Sequence, residues 1–313
     1  MSRARVVVAL SAAAFALAVV LAALRVGEAP GKLSGWQALV LGIVQGATEL
    51  LPISSSGHLI LVPWAFGWHY LEQHPEFNKT FDVALHLGTL VAVVLYFWRD
   101  LVGLVRAWFR SVAARRIATG EERIAWYIVV ATIPAAIAGA AGESFIEDHL
   151  GDPWQIAILL ALFGVILWLA DRVQPTRTME AIGWKGAVGV GLAQCLALMP
   201  GVSRSGVTIS AARLLRLDRD QAARLSFLLL VPIVFGAAVL KGVKDVLIDG
   251  LPPGSAGPFV IGMLAAAVVG LVAIWGLLGY VRRHTYGVFV VYRLVLAATI
   301  LLVIAAGWRG KTF

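Results

Sequence analysis

Apolar runs long enough to cross a bilayer recur along this 313-residue chain, and they leave it few folds to choose from. They lie near residues 6–24, 80–98, 124–141, 154–170, 225–242, 259–281 and 289–307. A segment in lipid must satisfy its own backbone polar groups, so each run is a helix or a barrel strand. None alternates polar and apolar residues as barrel strands do, so helices are expected throughout. Composition agrees: 60% of residues are hydrophobic and 14% charged, against about 45–50% and about 25% in soluble domains. A water-soluble enzyme and a disordered chain are excluded on that ground. The lone Cys195 allows no intrachain disulfide and is expected to be a small packing residue.

Loop charge sets the direction of the spans. Lys and Arg number 26 against 18 for Asp and Glu, a net charge of +8. In so apolar a chain this excess points to cytoplasmic loops and anionic lipid head groups rather than nucleic acid. Residues 99–123 carry six arginines and are expected to form a cytoplasmic loop. Residues 143–153 carry four acids and no Lys or Arg, and are expected outside. Arg172, Arg177 and Lys185, then Arg213, Arg216, Arg219 and Arg224, then Arg282 and Arg283 mark further cytoplasmic turns. Trp98, Trp126, Trp154, Trp168 and Trp308 lie near span ends, where indole prefers to sit. Arg3 and Arg5 place the N-terminus inside, with residues 1–30 expected as a retained membrane anchor rather than a cleaved signal.

Two further apolar stretches, 35–66 and 184–215, are broken by polar centres. The first reads Gln45-Gly46-Ala47-Thr48-Glu49-Leu50-Leu51-Pro52-Ile53-Ser54-Ser55-Ser56-Gly57-His58. The second ends Met199-Pro200-Gly201-Val202-Ser203-Arg204-Ser205-Gly206-Val207-Thr208. Gly42, Gln45, Ser54, Ser56 and Gly57 fall on Gly191, Gln194, Ser203, Ser205 and Gly206 at an offset of 149. Three candidate spans follow each copy, so the chain is an internal repeat. The expected architecture is an all-α polytopic membrane protein of inverted topology, with about seven spans including the anchor and two re-entrant helical hairpins. Its parts are the anchor 1–30, repeat 1 over 31–172 and repeat 2 over 183–308. Interrupted segments at matching positions of two halves point to a site near the bilayer midplane.

Charges at that depth cost at least about 2.5–3.5 kcal/mol and call for a partner or a function. Glu49, His58 and Arg204 are such charges. A purely structural Glu49–Arg204 pair is the plain alternative to a catalytic one. The Ser-rich turns each follow a proline and precede a helical run, placing hydroxyls and free N–H groups at a helix N-terminus, where anions bind. N-capping alone would also use such serines. Arg204 adds a planar fork suited to phosphate. Ser55 or His58 can attack phosphorus, with Ser55 slightly favoured. Glu49 can act as base, orient His58, or hold a divalent ion such as Mg²⁺ or Ca²⁺ together with the substrate's phosphates. His86 is expected to be a hydrogen-bonded structural histidine.

At these residues the sequence resembles the undecaprenyl-diphosphate phosphatases, the bacitracin-resistance type of integral-membrane lipid phosphatase. The resemblance runs from about residue 35 to the C-terminus and rests on Gln45 to Glu49, Pro52 to His58 and Pro200 to Thr208. It implies catalytic Glu49, Ser55, His58 and Arg204. It also implies diphosphate contacts from Gln45, Ser54, Ser56, Gly57, Ser203, Ser205, Gly206 and Thr208. The reaction implied converts undecaprenyl diphosphate and water into undecaprenyl phosphate and inorganic phosphate, in the bacterial inner membrane at a site opening to the outer face. Membrane lipid is the expected surrounding partner, nucleic acid is not expected, and a homodimer is admitted. Gln45 replaces the first acid of the paired motif, so Glu49 is the metal ligand to expect. Two rivals stand beside this reading. The other membrane lipid phosphatase class is disfavoured, because no Arg-Pro dipeptide occurs and Ser210, not His, lies six residues after Arg204. A transporter or flippase of a prenyl phosphate lipid would use the same inverted repeat.

Overall fold

The computed structural model describes residues 33–241 and 255–312. Among them all regular structure is helical. The chain forms α1 (Gly35–Leu50), α2 (Ser55–Phe66), a single turn at Tyr70–Gln73, α3 (Pro75–Ala114), α4 (Gly120–His149) and α5 (Pro153–Asp171). After a 3₁₀ turn at Met179–Ala181 come α6 (Gly183–Leu196), α7 (Arg204–Leu214), α8 (Arg219–Lys241), α9 (Ala256–Val281) and α10 (Gly287–Ala305). Six of these, α3, α4, α5, α8, α9 and α10, are long and apolar enough to cross a membrane, making this a multi-pass membrane protein. The expected N-terminal anchor at 1–30 lies outside the described residues.

Two expected loops are helix. The arginine-rich stretch after residue 98 continues α3 to Ala114, past a kink where Phe97 leaves helical geometry (φ −103°, ψ 18°). The polar stretch carries no Gly or Pro strong enough to stop it, and Leu101, Leu104 and Ala107 still pack inward. The acid-rich 143–149 likewise extends α4, which stops only before Gly151-Asp152-Pro153. Asp152 and Gln155 cap the next helix.

The remaining helices are short. At 1.5 Å per residue, α1, α2, α6 and α7 reach only about 24, 18, 21 and 17 Å, less than a hydrocarbon core. The residues flanking α1 and α2 meet at one end of the molecule, where Leu33, Leu71, Phe77 and Phe259 cluster beside Trp68 and Tyr70. Those flanking α6 and α7 meet at the other. There Thr176 N–H donates to Arg216 O (2.9 Å) and Met179 N–H to Gln221 Oε1 (2.8 Å). Arg282 pairs with Asp220, and Tyr286 N–H donates to Asp171. The arginine-bearing turns therefore gather at a single end.

Packing follows the repeat. Helix α1 lies along α9, and its counterpart α6 lies along α4; α3 against α9 is matched by α8 against α4. The matching glycines explain the closeness. A Cβ on Gly42 would sit 2.3 Å from Gly262 O of α9, and one on Gly191 2.7 Å from Ala131 O of α4. Small residues are how membrane helices approach this closely.

The two helix breaks are tied to each other by Arg293 of α10, fully buried. Its guanidinium donates to Pro52 O (3.2 Å) in the first break and to Gly201 O (2.9 Å) and Val202 O (3.1 Å) in the second. It also donates to Leu160 O (3.0 Å) and Leu159 O (3.5 Å) of α5. Removing it strands three loop carbonyls, each worth about 1–3 kcal/mol when buried and unpaired. Arg293→Met is expected to cost on the order of 3–5 kcal/mol, read as a large drop in the thermal unfolding midpoint in detergent. An unchanged midpoint would show that the breaks hold without it. Gly42→Val should lower the midpoint by pushing α1 off α9, at about 1–3 kcal/mol, with a smaller effect for Gly42→Ala.

Candidate active site

Each break ends in a serine with a backbone that side chains rarely adopt. Ser54 has φ 77° and ψ 94°, and Ser203 has φ 75° and ψ 113°. Such left-handed geometry costs a non-glycine residue of order 1–3 kcal/mol. Hydrogen bonds hold it: Ser54 Oγ accepts from Gly57 N–H (3.3 Å) and Gly201 N–H (3.0 Å), and Ser203 Oγ accepts from Gly206 N–H (3.1 Å). The fourth N–H of each helix, on His58 or Val207, bonds the capping serine's carbonyl. The first two N–H groups of each helix, of Ser55 and Ser56 in α2 and of Arg204 and Ser205 in α7, have no partner within the helix, the arrangement that favours an anion. The structure thus combines capping and anion-site geometry in the same turns.

Glu49, buried near the end of α1, gathers the catalytic candidates. Its Oε1 accepts from Arg204 Nη2, and its Oε2 accepts from Ser55 Oγ and from Gln45 Nε2 at 3.1 Å. The Glu49–Arg204 pair weighed from the sequence therefore exists, and it joins the two repeats. Two buried polar atoms around it, Gln45 Oε1 and Arg204 Nη1, have no hydrogen-bond partner among the described residues. An acceptor and a cationic donor left open beside a serine hydroxyl are what a phosphate and an accompanying cation would use.

The expected link from Glu49 to His58 is absent. His86 of α3 stands there instead, with Nε2 3.4 Å from Glu49 Oε2 and Nδ1 2.7 Å from Asp82 O. His86 is thus hydrogen-bonded to its own helix, as expected, and also faces Glu49 across the α1–α3 contact. His58 is held by other groups. Its Nδ1 lies 2.6 Å from Ser54 O, which can only accept, so Nδ1 carries the proton. Its Nε2 lies 2.6 Å from the Tyr292 hydroxyl, and the two rings stack with centroids 5.7 Å apart at 12°. In the neutral ring Nε2 is then the acceptor, and the Tyr292 hydroxyl donates to it.

The other expected diphosphate contacts divide. Ser56 is partly buried in the first anion turn. Gly57 and Gly206 serve by being small: a Cβ on Gly57 would meet Ile156 at 3.1 Å, and one on Gly206 would meet Arg293 at 3.0 Å. Ser205 Oγ donates across to Leu51 O (2.9 Å) of the first break. Thr208 points away from the open atoms, bonding Arg204 O (2.7 Å) and Ser226 Oγ (2.7 Å). Ser203 and Ser205 hydroxyls lie 3.2 Å apart. Ser54, Ser203 and Ser205 thus brace the two turns, and Thr208 ties α7 to α8.

Three residues of this constellation were missed from sequence: His86, Tyr292 and Arg293. His86 lies in one apolar run read as a span, and Tyr292 and Arg293 lie side by side in another. The available signal was their polarity at that depth, which for a buried arginine is a strong one.

The amino-acid sequence has close relatives. The sequence profile of the family described as bacitracin resistance protein BacA matches residues 38–299. A protein of Geobacter metallireducens named undecaprenyl-diphosphatase is 48% identical over 269 residues, covering 85% of this chain and 97% of that protein. Proteins of the same name from Moorella thermoacetica and Desulforudis audaxviator are 46% and 45% identical, covering 88% and 86% of this chain and 98% and 97% of theirs. With two paired breaks, a shared carboxylate–guanidinium bridge and this extent of match, the chain belongs to the bacitracin resistance protein BacA family.

Proposed function

We propose that this protein hydrolyses undecaprenyl diphosphate to undecaprenyl phosphate and inorganic phosphate, as its relatives' name describes. The observation that carries the reading is the Ser55 hydroxyl bonded to Glu49, itself bonded to Arg204. A serine needs an adjacent base to attack, and here the carboxylate supplies it directly rather than through a histidine. The arriving diphosphate competes for Arg204, whose second terminal nitrogen is already open, and this frees Glu49 to take the Ser55 proton. Ser55 Oγ then bonds the terminal phosphorus, and the bridging P–O bond breaks. The lipid monophosphate leaves as an anion stabilised by Arg204 and the helix N-termini. Water next attacks the phosphoserine, giving its proton to His58 Nε2, while Glu49 returns the first proton to Ser55 Oγ as inorganic phosphate departs. His58 then releases the proton it took to the departing phosphate or to water. Both this step and the alternative, direct attack by His58, require Nε2 to leave the Tyr292 hydroxyl.

The site's own oxygen donors suited to a divalent cation are Glu49 and Gln45 Oε1. No group of three or more His, Cys, Asp or Glu side chains able to hold a metal occurs among the described residues. This donor set fits an ion shared with the substrate's phosphates better than a resident cage. Such an ion would neutralise diphosphate charge beside Glu49. The short broken helix pairs dip into the bilayer and return, α1/α2 from outside and α6/α7 from the cytoplasm, in the bacterial inner membrane. The catalytic cleft opens to the outer face.

Phosphate release by the purified protein in detergent tests the reaction. Ser55→Ala should abolish turnover, and an acid-stable phosphoenzyme should be trapped in the wild type by rapid quench. Substantial activity in Ser55→Ala, with none in His58→Ala, would move the nucleophile to His58. Arg204→Lys keeps the charge but loses the fork, and should cost about 2–4 kcal/mol of transition-state stabilisation, roughly 30- to 1000-fold in kcat/KM. Near-normal turnover in a folded Arg204→Lys would remove the clamp. Chelation should suppress release, with Mg²⁺ or Ca²⁺ restoring it. For orientation, on a Cys195→Ser background, cysteine at 115 should be shielded from an impermeant thiol reagent in intact cells, and cysteine at 312 should react.

A further inference from the structure

The repeat predicts that two helix seams should be alike, and they are not. Helix α7 packs directly on α5, and Val202, Val207 and Phe163 close that seam with Leu159 and Ile166. Position 207 is the counterpart of His58 at the offset of 149. The corresponding seam in the other half, between α2 and α10, holds a cavity of about 320 Å³ instead. Its lining includes Leu61, Trp64, Leu296, Thr299 and Ile300.

The cavity begins about one helical turn beyond His58 and Tyr292, on the same faces of both helices. On α2, His58, Leu61 and Ala65 recur at helical spacing on one face. On α10 the same holds for Tyr292, Leu296, Thr299, Ile300 and Val303. The stacked His58–Tyr292 pair is therefore the polar head of a seam that is apolar from the next turn onward. From Tyr292 to Val303 it runs about 16 Å along the helix axis. Its walls are firm: Leu61, Trp64 and Ile300 are buried against Ile156 and Leu160 of α5. Its far end is closed by the C-terminal segment, where Trp64 Nε1 donates to Gly310 O (3.0 Å) and Arg309 donates to Ala65 O (2.9 Å).

We propose that the α2–α10 seam binds the first isoprene units of the substrate's tail and sets the enzyme's preference for long prenyl chains. The proposal rests on the phosphatase reading for the position of the diphosphate. A branched, unsaturated hydrocarbon attached to that diphosphate leaves the site past His58 and Tyr292, and this groove receives it. The remainder of the chain passes into lipid.

Thr299 is exposed and bonds only its own helix, so Thr299→Trp fills the groove without touching the catalytic groups. It should raise KM about tenfold for a long polyprenyl diphosphate, the worth of roughly one lost side chain's apolar contact. Turnover of dimethylallyl diphosphate should stay unchanged. An equal effect on both substrates, or on neither, overturns the proposal. A second measurement does not need hydrolysis. A polyprenyl monophosphate carrying a diazirine on a proximal isoprene should label Leu61, Leu296 and Thr299 and be displaced by excess unmodified lipid. Equal, undisplaced labelling of Leu302, on the lipid-facing side of α10, overturns the groove. Failure of the wild type to release phosphate from any prenyl diphosphate would instead sink the phosphatase reading, and the labelling would still judge the groove.

Discussion

A helix broken in the interior of a protein leaves carbonyls and N–H groups that need partners wherever water is excluded. Everything else in this protein depends on how that constraint is met at two places at once. Arg293 meets it from one side, spending its whole guanidinium on the carbonyls of both breaks and of α5. Ser54 and Ser205 meet it from the other, each bonding backbone of the opposite break. Because these bonds run between the breaks, neither turn can be positioned without the other. The strained serine conformations persist for the same reason: their surroundings leave no relaxed alternative.

That cross-bracing brings Glu49 and Arg204, 155 residues apart, into one ion pair. A buried pair of this kind adds little net stability, since desolvation offsets much of the attraction. Here it holds a carboxylate beside a serine, and in the proposed mechanism an incoming anion unlocks it. The guanidinium has an open nitrogen, and the neighbouring amide has an open oxygen, so the resting site is incompletely bonded just where a phosphate would complete it.

The repeat makes the scaffold symmetric and the chemistry one-sided. Glycines at 42 and 191 admit equivalent close contacts, and serines at 54 and 203 adopt nearly the same dihedral angles. At the positions between, the halves diverge. Ser55 falls on Arg204, Glu49 on Leu198 and His58 on Val207 at the same offset. One half thus supplies hydroxyl, base and histidine, and the other supplies the cation. The open α2–α10 seam against the closed α5–α7 seam is the same divergence expressed in packing.

The long helices, the two polar breaks, their repeat and the grouping of Gln45, Glu49, Ser55 and Arg204 were legible in the amino-acid order. Bilayer length, proline and serine at a break, and charge among apolar residues are local signals. The helical continuation of α3 past Trp98 and of α4 past Gly142 was misread, because charged residues mark a membrane boundary without ending a helix. The partners of Glu49 and His58 were decided only by tertiary structure. His86 and Tyr292 reach them from separate helices, 37 and 234 residues along the chain. An apolar periodicity tells that a helix is buried, and says nothing of which neighbour its few polar side chains will face. That choice was made by the small-residue contacts of α1 with α9 and by the carbonyls gathered around Arg293, which exist only once the helices have packed.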